Sequence, residues 1–307
     1  MKETFDFYSP TNLKSYNLDE SMRYQLSVLS TLDAFTRAHC ERVAHLTTRL
    51  CERLHLPKHF IIYCTMCAYL HDIGKTFIPP SILQKTSRLT PEEYEVMKTH
   101  TTIGYKMCMH DLKLRPYAAG PLFHHEGLDG SGYPQGLTKK DIPLEGRIIR
   151  IADEYDAITS KRQYKSHIDI SDTLEILASE SKPNPEDPKA KIHNCGRIEP
   201  YIFKALLKLV REDIEYEITC VDSYTNYLAQ QIKRLKEVQK LVAEMNTVDN
   251  EKDRNEYLRI IRQSLEPKET LDNFTTVLEQ YQKAYPIRQE KIKKLYQEID
   301  KIKKLKV

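Results

Sequence analysis

The sequence predicts an all-α fold, and three observations carry that expectation. Glycine is scarce, 9 of 307 residues, so few of the tight turns that join short strands are encoded. Apolar residues recur at spacings of three and four along most of the chain, the period of one helix face. Thr90-Pro91-Glu92-Glu93 spells a strong helix start: a capping threonine, proline in the first turn, and glutamate three positions after the cap. With 40% hydrophobic and 30% charged residues the chain can build a sizeable core, which excludes a wholly disordered chain. The balance of 47 basic against 44 acidic residues argues against a protein built to coat nucleic acid, and no DNA binding is expected.

Taken in order, the first 18 residues read as an irregular lead. A first helix runs through MRYQLSVLSTL, with Asp19 or Ser21 as its cap. A second covers about Ala38–Leu54; Val43, Leu46, Leu50 and Leu54 form its stripe and His39 lies near its start. Pro57 opens a buried helix over Phe60–Leu70, which ends in His71-Asp72-Ile73-Gly74-Lys75. The end of a buried helix can point His71 and Asp72 into one cavity, with Gly74 relieving the backbone and Lys75 supplying a cation. Pro79 and Pro80 break the chain. One helix from Thr90 carries His100 and continues toward His110, and another around Tyr117–Phe123 delivers His124 and His125. Gly127, Gly130, Gly132, Pro134 and Gly136 force a compact loop. A helix over Arg147–Ser160 carries Asp153 and Asp156, and Arg162, Tyr164 and Lys165 follow. A short helix at 171–180, a Pro-rich charged loop at 181–196 and a helix from Glu199-Pro200 complete the first part.

A domain boundary is expected near 213–218. Beyond it, Leu228, Ile232, Leu235, Val238 and Val242 form a helical stripe, and Ile292, Leu295, Ile299 and Ile302 form a short heptad-like seam. That seam would pack on neighbouring helices or on a second subunit. Arg288–Val307 holds eight basic and three acidic residues, read as the solvated face of a packed helix. Cys64 and Cys67 form C-x-x-C inside an apolar helix, which reads as buried free thiols. Seven cysteines without framework spacing fit a reducing compartment. The N-terminus lacks the apolar core of a signal peptide, and no run of about 18 apolar residues exists, so no membrane span is predicted and the expected location is the cytoplasm.

The chemistry centres on Leu122–Pro134, LFHHEGLDGSGYP. Paired histidines in so polar a loop have no packing reason; holding a metal and an anionic substrate would be one. Imidazole and carboxylate together suit Fe, Mn, Co or Zn. The available set is His39, His71, Asp72, His100, His124, His125 and Asp153, too many for one tetrahedral ion. It fits two ions sharing a bridging carboxylate and hydroxide, a clamp used for phosphoryl transfer. Lys75, Arg162 and Lys165 are candidates to hold phosphate oxygens. There is no G-x-S-x-G and no Walker A loop, and Asp129 stands where H-E-x-x-H would need its second histidine. His45, His55, His59, His110, His167 and His193 read as surface or supporting groups. Glu126 reads as the orienter of a ligand histidine or as a solvated acid.

Five ordered blocks carry a family resemblance: HCERV at 39–43, HDIGK at 71–75, His100, HHEGLDGSGYPQGL at 124–137 and RIIRIADEYDAITSKRQYK at 147–165. Over about residues 30–210 the chain resembles the HD-GYP branch of the HD-domain metal-dependent phosphohydrolases. The resemblance implies an HD-domain-like helical bundle of five core helices over 35–215, after a lead and first helix at 1–34 and before a helical, partly coiled-coil-like extension at 216–307. It implies hydrolysis of cyclic di-GMP to pGpG or GMP by attack of a metal-bridging hydroxide, with two divalent ions, Fe or Mn, as cofactors. Carried over by motif, His39, His71, Asp72, His100, His124, His125 and Asp153 would be the metal ligands. Asp72, bridging the ions, and Lys75 would be catalytic. Lys75, Arg162, Lys165, Asp129, Gly130, Gly132, Tyr133 and Pro134 would contact or shape the substrate site. Phe35 stands where some members carry a glutamate for a third metal, which points to the two-metal class. Gln163 replaces the usual proline of an R-P-Y run. The stretch before His39 is too short for the receiver domain that often precedes this family's catalytic domain, so the extra region is expected at the C-terminus, where it would dimerise the protein or dock a partner. Two alternatives stand beside this reading: another cyclic dinucleotide such as cyclic GMP-AMP as substrate, or a nucleotide-responsive binding module with weak catalysis.

Overall fold

The structure is a computed structural model that describes residues 34–160 and 169–305. The expected first helix, together with Arg162, Lys165 and His167, lies outside the described residues. Within them the fold is all-α, and the nearest approach to a sheet is an isolated bridge between Asp129 and Thr138.

Helix α1 spans Ala34–Arg53 and is already helical four residues ahead of the expected Ala38, since nothing from Ala34 to Ala38 breaks it. His39, Cys40, Val43, Ala44, Thr47 and Leu50 are its buried face. It closes where His55 adopts a left-handed φ of 55° and Leu56 N–H reaches back to the Cys51 carbonyl, after which Pro57 prevents continuation. Helix α2, Lys58–Leu70, is buried at every position from Cys64 to Leu70. Such a helix belongs in a core, and α2 packs on α1. Cys64 and Cys67 are buried free thiols on it, as expected. A 3-10 turn over Ile73–Phe77 follows directly, then the single turn α3, Pro80–Leu83.

The capping box forms as read. Thr90 Oγ1 accepts from Glu93 N–H at 3.2 Å, and Glu93 Oε2 accepts from Thr90 N–H at 2.8 Å. The expected single helix through His110 is instead two, α4 over Pro91–Lys98 and α5 over His100–His110. At the joint, the Thr99 N–H and hydroxyl both donate to the Val96 carbonyl, a tightened last turn that competes with the regular ladder. A 3-10 turn at Arg115–Tyr117 leads into the short α6, Ala119–Phe123. Helix α7, Leu144–Thr159, then runs against α1, α2 and α6, and α8 covers Ile170–Glu180.

The stretch 181–196, expected to be loop, contains a short helix α9, Pro188–His193. Asp187 caps it by accepting from Lys189 N–H, Pro188 takes its first turn, and Asn194 ends it at φ 47°. Helix α10 starts at Pro200 as expected and is continuous to Met245. Val210, Ile214, Ile218 and Val221 are all buried along it at the helical period.

The chain divides into two compact units, of which the second spans Arg211–Lys303. In the second, α11 (Glu251–Ser264) and α12 (Phe274–Lys304) join the rest of α10. Leu235, Val238, Met245, Ile261, Phe274 and Leu278 form its buried cluster. Arg234 is fixed beside it by two 2.7 Å hydrogen bonds to Glu269. Of the heptad-like seam on α12, Ile299 and Ile302 are buried, and Ile292 and Leu295 are half-buried. No helix of the described residues is long and apolar enough to cross a membrane.

Candidate metal centre

Five segments of the first unit converge. α1 brings His39, the end of α2 brings His71 and Asp72, α5 opens with His100, the end of α6 delivers His124 and His125, and α7 carries Asp153. All seven expected ligands therefore meet, and all but His125 are buried.

Asp72 is the centre of the arrangement. Its Oδ1 faces His100 Nε2 at 3.3 Å and His124 Nε2 at 3.9 Å. Its Oδ2 faces His71 Nε2 at 3.3 Å and His39 Nε2 at 3.7 Å. Asp153 stands across from it, with Oδ1 at 3.0 Å from His39 Nε2 and Oδ2 at 3.9 Å from His125 Nδ1. The donors fall into groups whose atoms lie within 4.8 Å of one another: His100, His124 and His125 in one, His39, His71 and Asp153 in another.

The tautomers are set by the fold. His71 Nδ1 donates to the Ala68 carbonyl at 2.6 Å, and His100 Nδ1 to the Met97 carbonyl at 2.7 Å. His124 Nδ1 is shared by the Gly120 and Pro121 carbonyls, and His39 Nδ1 donates to Asp156 Oδ2 at 2.7 Å. Each ring thus turns Nε2 toward Asp72, the usual way a partner on one nitrogen prepares the other for a metal.

The residues fit divalent ions. His71 Nε2 and Asp72 Oδ1 are buried with no hydrogen-bond partner, a cost that a coordinated cation would remove. His100 Nε2 and His124 Nε2 lie 3.2 Å apart. With both Nδ1 protons committed, two lone pairs confront each other, an arrangement that a cation reconciles. Burial pushes His100 down to about 4 and holds His124 and His125 well below the ordinary histidine value, so all three are neutral. Burial would lift Asp72, but Lys75 and His71 outweigh it and hold the carboxyl well below its usual range. For Asp153, His39 overcomes burial in the same way. Burial would lower His39, but Asp153 and Asp156 raise it to about 9.

Lys75 Nζ donates to Asp72 Oδ2 at 2.5 Å and lines a cavity of about 1100 Å³ together with His39, His100, His125 and Asp153. Of the loop residues expected to shape the substrate site, Gly132 and Tyr133 line this cavity. The Tyr133 ring stacks on His125 at 4.7 Å. Asp129, Gly130 and Pro134 are not among the lining residues; Asp129 is buried and accepts from the Ser131 N–H and hydroxyl, shaping the turn. Gly132 is obligatory, since a Cβ there would lie 2.2 Å from the Gly127 nitrogen. His45, His55, His59, His110 and His193 join none of the donor groups.

Glu126 follows neither expected reading. It is buried, orients no histidine, and accepts the N–H groups of Gln135 at 2.7 Å and Leu137 at 2.9 Å, pinning the far side of the loop. Arg150 fixes the near side by donating to the His125 and Glu126 carbonyls. The orienting role belongs instead to Asp156, which also takes two hydrogen bonds from Arg42. Its sequence signal was its place three residues after Asp153, on the same helix face. Cys40, beside His39, also lies within reach of His71 and Asp72 as a buried thiol donor. Asp156→Asn should weaken metal binding by roughly 10- to 100-fold, as lost support of a ligand histidine does. Metal titration followed by calorimetry reads this, and an unchanged affinity would show that His39 needs no such support.

An all-α bundle that gathers histidines and aspartates from distant helices into one buried centre defines a histidine–aspartate metal protein. The family model for the HD domain matches residues 25–189, and the chain belongs to the HD-domain family. It is homologous to the HD-GYP-type cyclic-dinucleotide phosphodiesterases. It is 37% identical over 193 residues to a cyclic di-GMP phosphodiesterase of Thermotoga maritima, covering 61% of this chain and 49% of that one. Over 136 residues it is 43% identical to the cyclic di-GMP phosphodiesterase response regulator RpfG of Xanthomonas campestris, covering 43% and 36%. Over 216 residues it is 29% identical to 3'3'-cGAMP-specific phosphodiesterase 1 of Vibrio cholerae, covering 68% and 46%. The matched stretch thus spans less than half the length of each relative.

Proposed function

We propose that the chain is a metal-dependent phosphodiesterase that hydrolyses cyclic di-GMP to pGpG, GMP or both. The observation that carries this reading is the division of ligands about Asp72. Oδ1 faces His100 and His124, and Oδ2 faces His39 and His71, so one carboxylate is posed to serve two ions. His125 and Asp153 would complete the set. Two ions, Fe or Mn, would acidify a water and polarise the phosphorus centre.

The chain's own groups supply the rest. Lys75, held at Asp72 and lining the cavity, would take a phosphate oxygen and offset charge developing in the transition state. Gly132 and Tyr133 would close the cavity wall over His125. Arg162 and Lys165 are proposed as further phosphate contacts from the sequence alone. Residues 35–215 are the proposed catalytic region and 216–307 the proposed dimerisation or docking region, with the cytoplasm as its place of action.

The relatives support two substrates, since two of them are cyclic di-GMP phosphodiesterases and one is specific for 3'3'-cGAMP. Anaerobic metal analysis paired with product analysis on both dinucleotides tests the reading. About two ions per chain and appearance of linear products support it; full metal loading with neither dinucleotide consumed would leave a binding module. Lys75→Ala should lower kcat/KM about 100-fold while metal content stays near that of the parent. Loss of metal in that variant would show Lys75 to be structural.

A further inference from the structure

The cavity extends beyond the metal centre to a wall on α4, where Tyr94 and Lys98 also line it. Tyr133 links the two regions. One face stacks on His125 at 4.7 Å, and its ring meets Tyr94 edge-on at 6.5 Å. Lys98 Nζ lies 5.0 Å from the Tyr94 centroid and 5.7 Å from that of Tyr133. Tyr94 is 45% exposed, so its ring is accessible from the cavity it lines. The wall is held in place because α4 is started by the Thr90–Glu93 box.

The three lysines of this cavity are not equivalent. Lys75 is committed to Asp72. Lys85 is held by both carboxylate oxygens of Glu93, itself part of the box. Lys98 pairs with Glu95, whose side chain is 70% exposed. An ion pair so open to water holds its ammonium weakly, so Lys98 can be redirected to a ligand at little cost.

A cyclic dinucleotide brings two phosphates and two bases, and only one diester reacts at a time. Resting on the function proposed above, we propose that Tyr94 and Lys98 form the subsite for the half that is not being cleaved. The Tyr94 ring stacks its nucleobase, and the Lys98 ammonium takes its phosphate. Stacking on an exposed aromatic ring tolerates any base, so this subsite recognises the cyclic dinucleotide as a class and leaves base choice to other contacts.

The test compares cyclic di-GMP with bis(p-nitrophenyl) phosphate, a diester with neither nucleobase nor second phosphate, on the full metal-loaded chain. Tyr94→Ala and Lys98→Ala should each lower the ratio of kcat/KM for the dinucleotide to that for the small diester by about tenfold, mainly through KM. Tyr94→Phe and Lys98→Arg should restore the ratio to within about twofold. A parallel fall on both substrates would overturn the proposal, because it would mark Tyr94 and Lys98 as supports for Tyr133. An unchanged ratio would overturn it too, while the phosphodiesterase reading stands. If the parent enzyme cleaves the small diester but neither cyclic di-GMP nor cyclic GMP-AMP, the functional reading fails and the subsite falls with it.

Discussion

On the proposed two-ion reading, Asp72→Ala is expected to abolish turnover, by a factor on the order of 10⁴ or more, and to strip the metal from the purified chain. Asp72 faces four of the proposed ligand histidines at once: His100 and His124 approach one carboxylate oxygen, His39 and His71 the other. Removing it would take a donor from each proposed ion and leave Asp153 as the remaining carboxylate beside His39 and His71. Lys75 loses its partner in the same step. The fold should survive, because the bundle is held by the apolar faces of α1, α2 and α7 and Asp72 contributes little to them. Metal content by mass spectrometry, turnover and circular dichroism read the three parts separately. A variant that keeps both ions and its activity would refute the shared-carboxylate arrangement.

The second large effect is expected at Gly74, two residues on. A Cβ there would lie 2.0 Å from the His100 carbonyl oxygen and 2.6 Å from the Gly104 nitrogen. Both are backbone atoms, so no side chain can swing aside; the turn carrying Asp72 must separate from α5, which carries His100. Overpacking of this kind costs about 3 kcal/mol, and Gly74→Ala should lower the melting temperature by about 10 °C. Metal affinity should fall with it, since His100 would move away from Asp72. A melting temperature within about 2 °C of the parent's would mean that the turn and helix can part without strain.

Local signals were legible and distant ones were not. Thr90 to Glu93 is a self-contained instruction, and the capping box it spells is the one that forms. His71-Asp72 at the end of an apolar run could be read as aimed at a cavity because adjacent polar residues there have no other use. The role of Asp156 depends on His39, 117 residues away, and no pattern near either residue records that meeting. Glu126 was misread for a similar reason, since its partners are two backbone amides that reach it only when the loop closes. The run of α10 through 213–218 was readable in principle, because Val210, Ile214, Ile218 and Val221 keep the helical period without a breaker.

The proposed ligands come from residues 39 to 153, with α1 and α7 at the extremes of that span. In an unfolded chain, gathering them would close several long loops at once, and the entropy of doing so is met only by the packed bundle. The ions would then act as cross-links across the chain's longest-range contacts. By mass action they would stabilise the native state by about 4 kcal/mol at a thousandfold excess over their dissociation constant. Iron or manganese supply would then set how long the protein persists in a cell as well as how fast it turns over substrate, because a metal-starved copy would populate its unfolded, protease-sensitive state more often.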